Sequence, residues 1–324
     1  MNQRWTNHGC PRRIALELPS RVEALTVALM SQVGLSASAV TIPARDGYPL
    51  GATLHLPRQA TPVGLVLISA ATAVPARYYG PFASALAEHG LAALTYDYRG
   101  IGASRPTRLR GFDAKMRDWI DLDAEGVFQW ARAAHPGLPL LAVGHSLGGH
   151  AIGLCDGSRH LAGAALVSSA VAWIGYIQGA LERLRVGGLL RVLGPALVIA
   201  FGYAPMRWLG MGEDLPGPAF RDWAYWIGQQ RYFFDDVTMD AAARFARVRA
   251  PLLLVGADDD PWTPAASIDM LGSYFTNSLC ERWQIAPSTA TERIGHTGFF
   301  RKTHRDTLWP RLIEWLLHRA EISD

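Results

Sequence analysis

The chain has 324 residues, of which 49% are hydrophobic and 18% charged, and its formal net charge at pH 7 is +3. This composition is typical of a globular protein, and the length allows one large domain with an insertion or two small domains. Arginines cluster in short stretches such as RPTRLRG (105–111), but there is no long basic run. We therefore expect no nucleic-acid partner.

The three cysteines, Cys10, Cys155 and Cys280, favour a reducing compartment. Their number is odd, and none has the spacing of a CxxC or Cys/His metal site, so a disulfide framework or a metal centre is not indicated. The N-terminus also lacks the shape of a secretory signal. We expect a cytoplasmic protein; the sequence does not indicate its oligomeric state.

The most membrane-like stretch is LLRVLGPALVIAFGYAPM (189–206). Arg191 and Pro195 interrupt it, and the uncharged run after Arg191 only approaches the ~17 residues that a span requires. We predict a buried or cap helix without stable membrane insertion. Peripheral contact of this region with a membrane surface is the alternative.

The order of predicted elements indicates an α/β protein. Residues 1–37 are expected to form an N-terminal extension with a short amphipathic helix. The predicted elements that follow are a hairpin over 39–57 with its turn at Asp46-Gly47, strands over 63–71 and 91–100 with a helix over 78–90 between them, a helix over 113–137, the strand LPLLAVGHS, the helix that begins LGGHAIGLC, and a strand over 161–170.

This alternation predicts a mostly parallel central sheet with helices on both faces. It stops between residues 171 and 248, where tryptophans and prolines accumulate, and we interpret this region as an inserted helical cap. Further elements are predicted as a strand over 250–260, a helix near 264–275, a strand near 281–287 and a helix over 303–320. The predicted core therefore comprises residues 38–170 and 249–324.

Residues 144–148, Gly-His-Ser-Leu-Gly, lie between a predicted buried strand and a predicted helix. This context is that of a nucleophile elbow, a turn so tight that side chains two positions before and after the serine would clash. We predict that Ser146 is a nucleophile; the alternative is a structural glycine turn.

A serine nucleophile needs a base, and in such a fold the chain order is serine, acid, histidine. His296, in a glycine-flanked loop before the last helix, is the predicted base. The acid lies in GADDDPWTP (256–264): counting from Gly256 favours Asp259, and counting back from Pro264 favours Asp260. We predict Asp259, because the distance from the strand end fixes where a side chain emerges. Alternatively, the aspartates cap the following helix.

An oxyanion hole needs two backbone N–H groups directed at one point. We expect one from Leu147, directly after the serine. The other is expected from the small-residue loop SAATAVPARYY (69–79), with Ala71 as the first candidate donor and Thr72 as the next.

The stretches GHSLGG, DYRGIGAS (97–104), GADDDPWTP and GHTGFF together resemble the α/β-hydrolase superfamily over about residues 38–320. Within it, the chain is similar to serine hydrolases related to monoacylglycerol lipases and serine aminopeptidases, although Ser69-Ala70 stands where their oxyanion loop has His-Gly. The segment 202–226 is similar to a branch of bacterial predicted hydrolases. The resemblance implies Ser146 as nucleophile, Asp259 as acid, His296 as base, oxyanion donors at Ala71 and Leu147, and no cofactor or metal.

We therefore predict a serine hydrolase of the carboxylesterase or lipase-like kind, which cleaves a small-molecule ester through an acyl-enzyme on Ser146. The aromatic and aliphatic residues of the predicted cap suggest an apolar acyl or alcohol group in the substrate. The same three residues could instead serve a thioesterase, an amidase or peptidase, or an acyltransferase. The non-enzymatic alternative is a binding module built on the hydrolase fold.

Overall fold

The computed structural model describes residues 37–58 and 61–322. The predicted N-terminal extension with its helix, and Cys10, lie outside the described residues. The strands are β1 Ala37–Pro43, β2 Pro49–His55, β3 Leu65–Ser69, β4 Ala92–Tyr96, β5 Leu140–His145, β6 Gly163–Val167, β7 Tyr203–Ala204, β8 Leu215–Pro216, β9 Leu252–Ala257 and β10 Cys280–Ile285.

Eight of these strands form one sheet in the order β1-β2-β4-β3-β5-β6-β9-β10, and β7 and β8 form a separate two-stranded ribbon. In the large sheet, β2 runs antiparallel to both of its neighbours, and all other pairs are parallel. Strands β3, β4, β5, β6 and β9 are buried along their whole length, as strands covered on both faces must be. The predicted α/β class and mostly parallel sheet are confirmed.

The helices are α1 Gly80–Glu88, α2 Met116–Asp118, α3 Glu125–Ala134, α4 Leu147–Leu154, α5 Ala180–Gly188, α6 Gly194–Phe201, α7 Gly217–Trp226, α8 Ala241–Phe245, α9 Ala265–Ser273 and α10 Trp309–Glu321. A π-helical turn over Trp119–Ala124 joins α2 to α3 in the region of the predicted 113–137 helix. The last helix begins later than predicted, because Lys302–His304 form a 3₁₀ turn.

The predicted hairpin forms between β1 and β2, with Pro43 opposite Pro49. The Ala44 N–H donates to the Tyr48 carbonyl over 2.9 Å, and Gly47 takes a φ of 85°. This left-handed backbone favours glycine, which explains the Asp-Gly signal in the sequence.

Residues 168–251, here called the β6–β9 segment, leave the sheet and return to it. Because β6 and β9 pair directly, the sheet is not interrupted. The segment packs on the loop after β3: the Glu213 N–H donates to the Ala73 carbonyl over 2.8 Å. The buried Glu213 carboxylate also binds Arg77 from that loop, at 2.8 Å, and Arg207 at 2.9 Å.

Residues Ala180–Phe201 form one continuous helical run of 22 residues, in which a π-helical turn over Leu189–Leu193 joins α5 to α6. Pro195 closely follows this π-helical turn, where the regular α-helical hydrogen-bond pattern is already interrupted, and this is why it is tolerated. By length and composition alone this run could cross a membrane, and a single such helix is weak evidence for a span. Leu184 and Ile199 are 73% and 86% exposed, so the stretch predicted as a buried or cap helix packs through one face only.

Candidate active site

Ser146 occupies the tight turn between β5 and α4. Its backbone is held at φ 52° and ψ −110°, and its N–H donates to the Val167 carbonyl over 2.9 Å. A Cβ atom on Gly144 would lie 2.4 Å from the Gly148 carbonyl carbon, and one on Gly148 would lie 2.0 Å from the Ser69 carbonyl oxygen. Only glycine fits at both positions, as the clash argument from sequence required.

His296 joins Ser146 to an aspartate by two hydrogen bonds. Its Nε2 lies 3.1 Å from Ser146 Oγ, and its Nδ1 lies 2.9 Å from Asp260 Oδ2. A carboxylate can only accept, so Nδ1 carries the proton and Nε2 is the acceptor for the serine hydroxyl. The loop after β10 thus brings His296 to the residue that follows β5.

The prediction that Asp259 pairs with His296 is wrong; Asp260 is the partner. Past the end of β9 the chain folds back in a turn, with the Asp260 N–H donating to the Ala257 carbonyl over 3.2 Å. This turn directs the third residue after the strand to the His296 ring. Asp259 instead accepts hydrogen bonds of 2.9 Å from the backbone N–H groups of Ile294 and Gly295, and so holds the loop that carries His296.

Asp260 is 1% exposed and remains ionised. Burial by itself would raise the pKa of this carboxyl, but the electrostatic interaction with the adjacent His296 ring and hydrogen bonds from His296, Thr263 and the Trp262 backbone lower the pKa to about 2. The Trp262 ring stacks on the His296 ring, with centroids 5.4 Å apart, and this contact helps to fix the orientation of the imidazole.

Of the two predicted oxyanion donors, Leu147 has an unpaired N–H among the described residues, and Ala71 does not. Leu147 is the first residue of α4, so its N–H has no partner within the helix. The Ala71 N–H already donates to Tyr79 Oη over 2.9 Å. In the described part of the chain the Thr72 N–H has no hydrogen-bond partner, and Thr72 lines the cavity beside Ser146. Thr72, the second candidate from sequence, is therefore the residue of this loop whose N–H is free beside Ser146.

His145, which the sequence did not single out, ties three parts of the site together. Its Nε2 donates to the His296 carbonyl over 2.8 Å, so Nδ1 is an acceptor, and the Tyr79 hydroxyl donates to it over 2.7 Å. The Tyr79 oxygen then accepts from the Ala71 N–H. Burial and the nearby His296 lower the pKa of His145 to about 3, so the ring is neutral at pH 7. Local sequence carries no signal for this network, because its members lie 66 and 151 positions apart.

A cavity of about 340 Å³ opens onto Ser146 and His296. Its wall is mainly apolar and includes Val74, Ile177, Met211, Trp223 and Ile227. Arg185 also lines it and is paired with Glu182 at 2.6 Å, while Glu182 accepts from Trp262 Nε1 over 2.9 Å. The β6–β9 segment thus supplies much of the cavity wall around Ser146.

Within residues 37–58 and 61–322, no group of three or more His, Cys, Asp or Glu side chains is arranged to hold a metal ion. Cys155 and Cys280 are free thiols, the first buried and the second half-buried.

The sheet order, the elbow and the hydrogen-bonded serine, histidine and aspartate define a protein of the α/β-hydrolase class. The chain belongs to the α/β-hydrolase family: the family model described as "Alpha/beta hydrolase family" matches residues 65–305. No curated protein matches the sequence.

Several solved structures share the fold. The esterase Pf2001 of Pyrococcus furiosus has a TM-score of 0.59 at 14% identity, with 95% of this chain and 96% of that chain covered. Est1E of Butyrivibrio proteoclasticus, solved with ferulic acid, has a TM-score of 0.57 at 18% identity, with 88% and 100% covered. The esterase domain of a Rhodothermus marinus protein has a TM-score of 0.52 at 16% identity, with 87% and 98% covered.

Proposed function

We propose that this chain is a serine hydrolase that cleaves a carboxylic ester, with an apolar acyl or alcohol group, through an acyl-enzyme on Ser146. The observation that carries the proposal is the unbroken hydrogen-bond chain from Ser146 Oγ through His296 to the buried Asp260, at one wall of a largely apolar cavity. Esterases among the proteins of similar fold support the ester bond as the target.

Each step then has a residue to perform it. His296 Nε2 removes the hydroxyl proton as Ser146 Oγ attacks the ester carbonyl, and Asp260 stabilises the resulting imidazolium. The N–H groups of Leu147 and Thr72 hold the oxyanion, with the second donor contributed by the loop after β3. His296 returns the proton to the leaving alcohol, and water releases the acid from Ser146 by the same two proton transfers.

The apolar wall of the cavity supports a substrate with a hydrocarbon group of moderate size. A volume of about 340 Å³ is at the lower end of the range for small-molecule sites, about 300–1,000 Å³. We expect kcat/KM to rise with acyl length while the chain gains apolar contact and to fall once the chain exceeds the cavity. Thioesters and amides would use the same residues, and no feature of the site favours them over esters.

A fluorophosphonate probe tests the proposal directly, because it reacts only with an activated serine. We expect labelling of the wild type and none of Ser146→Ala, whereas Ser158→Ala should be labelled like the wild type, since the buried Ser158 Oγ has no hydrogen-bond partner to lose. A panel of p-nitrophenyl esters of graded acyl length supplies the substrate profile. A folded wild-type protein that neither reacts with the probe nor hydrolyses any ester would refute the proposal and favour a binding module.

A further inference from the structure

Three polar side chains, His150, Ser168 and Tyr232, line the same cavity as Ser146 but take no part in the proposed ester cleavage. They are only 2%, 3% and 2% exposed, and much of the surrounding wall is apolar. A polar group buried in such surroundings is costly unless it finds a hydrogen-bond partner. What these groups bind therefore bears on what the cavity admits.

His150 lies in the first turn of α4, and its backbone N–H donates to the Ser146 carbonyl over 3.4 Å. Its Nε2 lies 2.8 Å from the Ala170 carbonyl, which can only accept, so Nε2 carries the ring proton. Nδ1 is then a bare acceptor, buried and without a hydrogen-bond partner among the described residues. Burial, together with the charge of His296, lowers the pKa of His150 to about 4, so the ring is neutral at pH 7.

Tyr232 packs beside His150, with ring centroids 5.4 Å apart. Burial raises the pKa of the Tyr232 hydroxyl, which therefore keeps its proton and can donate it. Ser168 directly follows β6, the strand that pairs with β5 just before Ser146. In the part of the chain that the structure describes, no hydrogen bond joins Tyr232 Oη or Ser168 Oγ to another residue.

Backbone strain accompanies both hydroxyls. Ser168 and Tyr232 have φ values of 48° and 58°, in the left-handed region that non-glycine residues rarely adopt. Ser146, on the same cavity, is held there as well, at 52°. Such conformations cost about 1–3 kcal/mol each and persist where the surrounding structure enforces them, which is common at functional sites.

We propose that His150, Ser168 and Tyr232 form a polar subsite that binds a hydroxyl group on the acyl chain of the substrate. A hydroxyl can accept a hydrogen bond from Tyr232 or Ser168 and at the same time donate one to His150 Nδ1. A hydrocarbon would leave all three groups unpaired, and a carbonyl could not satisfy His150. The leaving alcohol must lie against His296, which protonates it. The subsite lies instead beside the helix and the strand next to Ser146. The acyl chain is therefore the part of the substrate that reaches the subsite.

This inference rests on the proposed ester hydrolysis, and its test compares matched substrates. The p-nitrophenyl esters of hexanoate and of hexanoates hydroxylated at C2, C3 or C6 are supplied to the wild type and kcat/KM is measured. We expect at least one hydroxylated ester to exceed plain hexanoate by tenfold or more. Tyr232→Phe removes only an unpartnered hydroxyl, so this preference should fall severalfold, and it should be lost with Ser168→Ala added. Tyr225→Phe, on the exposed side of α7, should keep the wild-type preference.

Equal kcat/KM for plain and hydroxylated esters, or a preference that survives Tyr232→Phe and Ser168→Ala together, would overturn the subsite while leaving the hydrolase proposal intact. Calorimetric binding of methyl hexanoate and its hydroxylated forms to Ser146→Ala separates the two proposals when no turnover occurs. Preferential binding of a hydroxylated ester that Tyr232→Phe and Ser168→Ala together abolish would support the subsite even if ester hydrolysis fails. Equal binding of all four compounds would refute it.

Discussion

Asp259 and Asp260 are chain neighbours with separate tasks. Asp260 holds the ring of His296 through Nδ1, and Asp259 holds the backbone of the loop on which His296 is carried. The first contact fixes the tautomer that lets Nε2 accept the serine proton; the second contact only positions the loop.

We therefore expect different consequences when each carboxylate is made an amide. Asp260→Asn presents a donor where His296 needs an acceptor and should lower kcat by about 10⁴-fold, the size of effect that the wrong tautomer causes in serine proteases. Asp259→Asn keeps one acceptor oxygen for the loop, so kcat should fall far less. Steady-state kinetics with one p-nitrophenyl ester measures both, and a larger loss for Asp259→Asn would contradict the assignment.

Tyr79 is the residue on which the buried network around His145 depends. Tyr79→Phe leaves the Ala71 N–H and His145 Nδ1 without partners, and each unpaired buried group costs about 1–3 kcal/mol. We expect the free energy of unfolding, measured with urea, to fall by about 1–3 kcal/mol for each of these two groups.

The adjacent Tyr78 supplies the control for this experiment. Its hydroxyl donates to the Thr297 carbonyl over 2.5 Å, but Tyr78 is half-buried, so water can replace the bond in Tyr78→Phe. The loss of stability should be smaller than for Tyr79→Phe. Equal losses would mean that the buried network contributes nothing particular.

At the scale of elements, the run Ala180–Phe201 shows how one helix contains two kinds of glycine. Gly188 is exposed, and a Cβ there would meet no atom within 4 Å. Gly194 is buried, and a Cβ there would lie 2.1 Å from the Phe220 ring, which has no room to move. Gly194 thus allows α6 to approach α7 closely.

Alanine at these two positions should have opposite effects on stability. Gly188→Ala should raise the free energy of unfolding by up to about 1 kcal/mol, the difference in helix propensity. Gly194→Ala should lower it by about 1–3 kcal/mol, the usual cost of overpacking. Thermal or urea unfolding measures the stability of both variants. A higher free energy of unfolding for Gly194→Ala than for the wild type would show that α6 and α7 do not pack as described.

Several elements could be predicted from local sequence because short-range physics specifies them. The Asp46-Gly47 turn needs a positive φ and alternating strands around it, and both are visible in the sequence. The elbow is specified by Gly144 and Gly148, whose side chains would collide with backbone atoms. The continuous helix through Pro195 depends instead on the π-helical turn that precedes it, which local sequence does not show.

For the whole molecule, burial of neutral histidines ties stability to pH. The pKa values of His145 and His150 are lowered to about 3 and about 4, against an ordinary value near 6.5. Between about pH 6.5 and pH 4 the unfolded chain therefore binds two protons that the folded chain excludes. The stability contributed by their neutral forms is complete above pH 6.5 and is lost as the pH falls.

We expect these two groups to lower the folded-to-unfolded ratio by up to tenfold per pH unit each over that window. His150→Gln keeps a donor for the Ala170 carbonyl but cannot titrate, so the pH slope of stability should decrease by about one proton. Urea unfolding at pH 4.5, 5.5 and 6.5 compares the variant with the wild type. An unchanged slope would contradict neutral burial of His150.

The sequence by itself determined the fold class, the position of Ser146 in the elbow and its histidine partner, because each rests on a local constraint or on chain order. Strand and helix periodicities indicate which residues are buried, and the glycines around Ser146 indicate a turn in which larger side chains would clash. Only the tertiary structure decided which aspartate meets His296 and which loop N–H is free beside Ser146. The choice of aspartate depends on the direction of the turn after β9. The choice of N–H depends on the Tyr79 hydroxyl, which folding brings into hydrogen-bond contact with both Ala71 and His145.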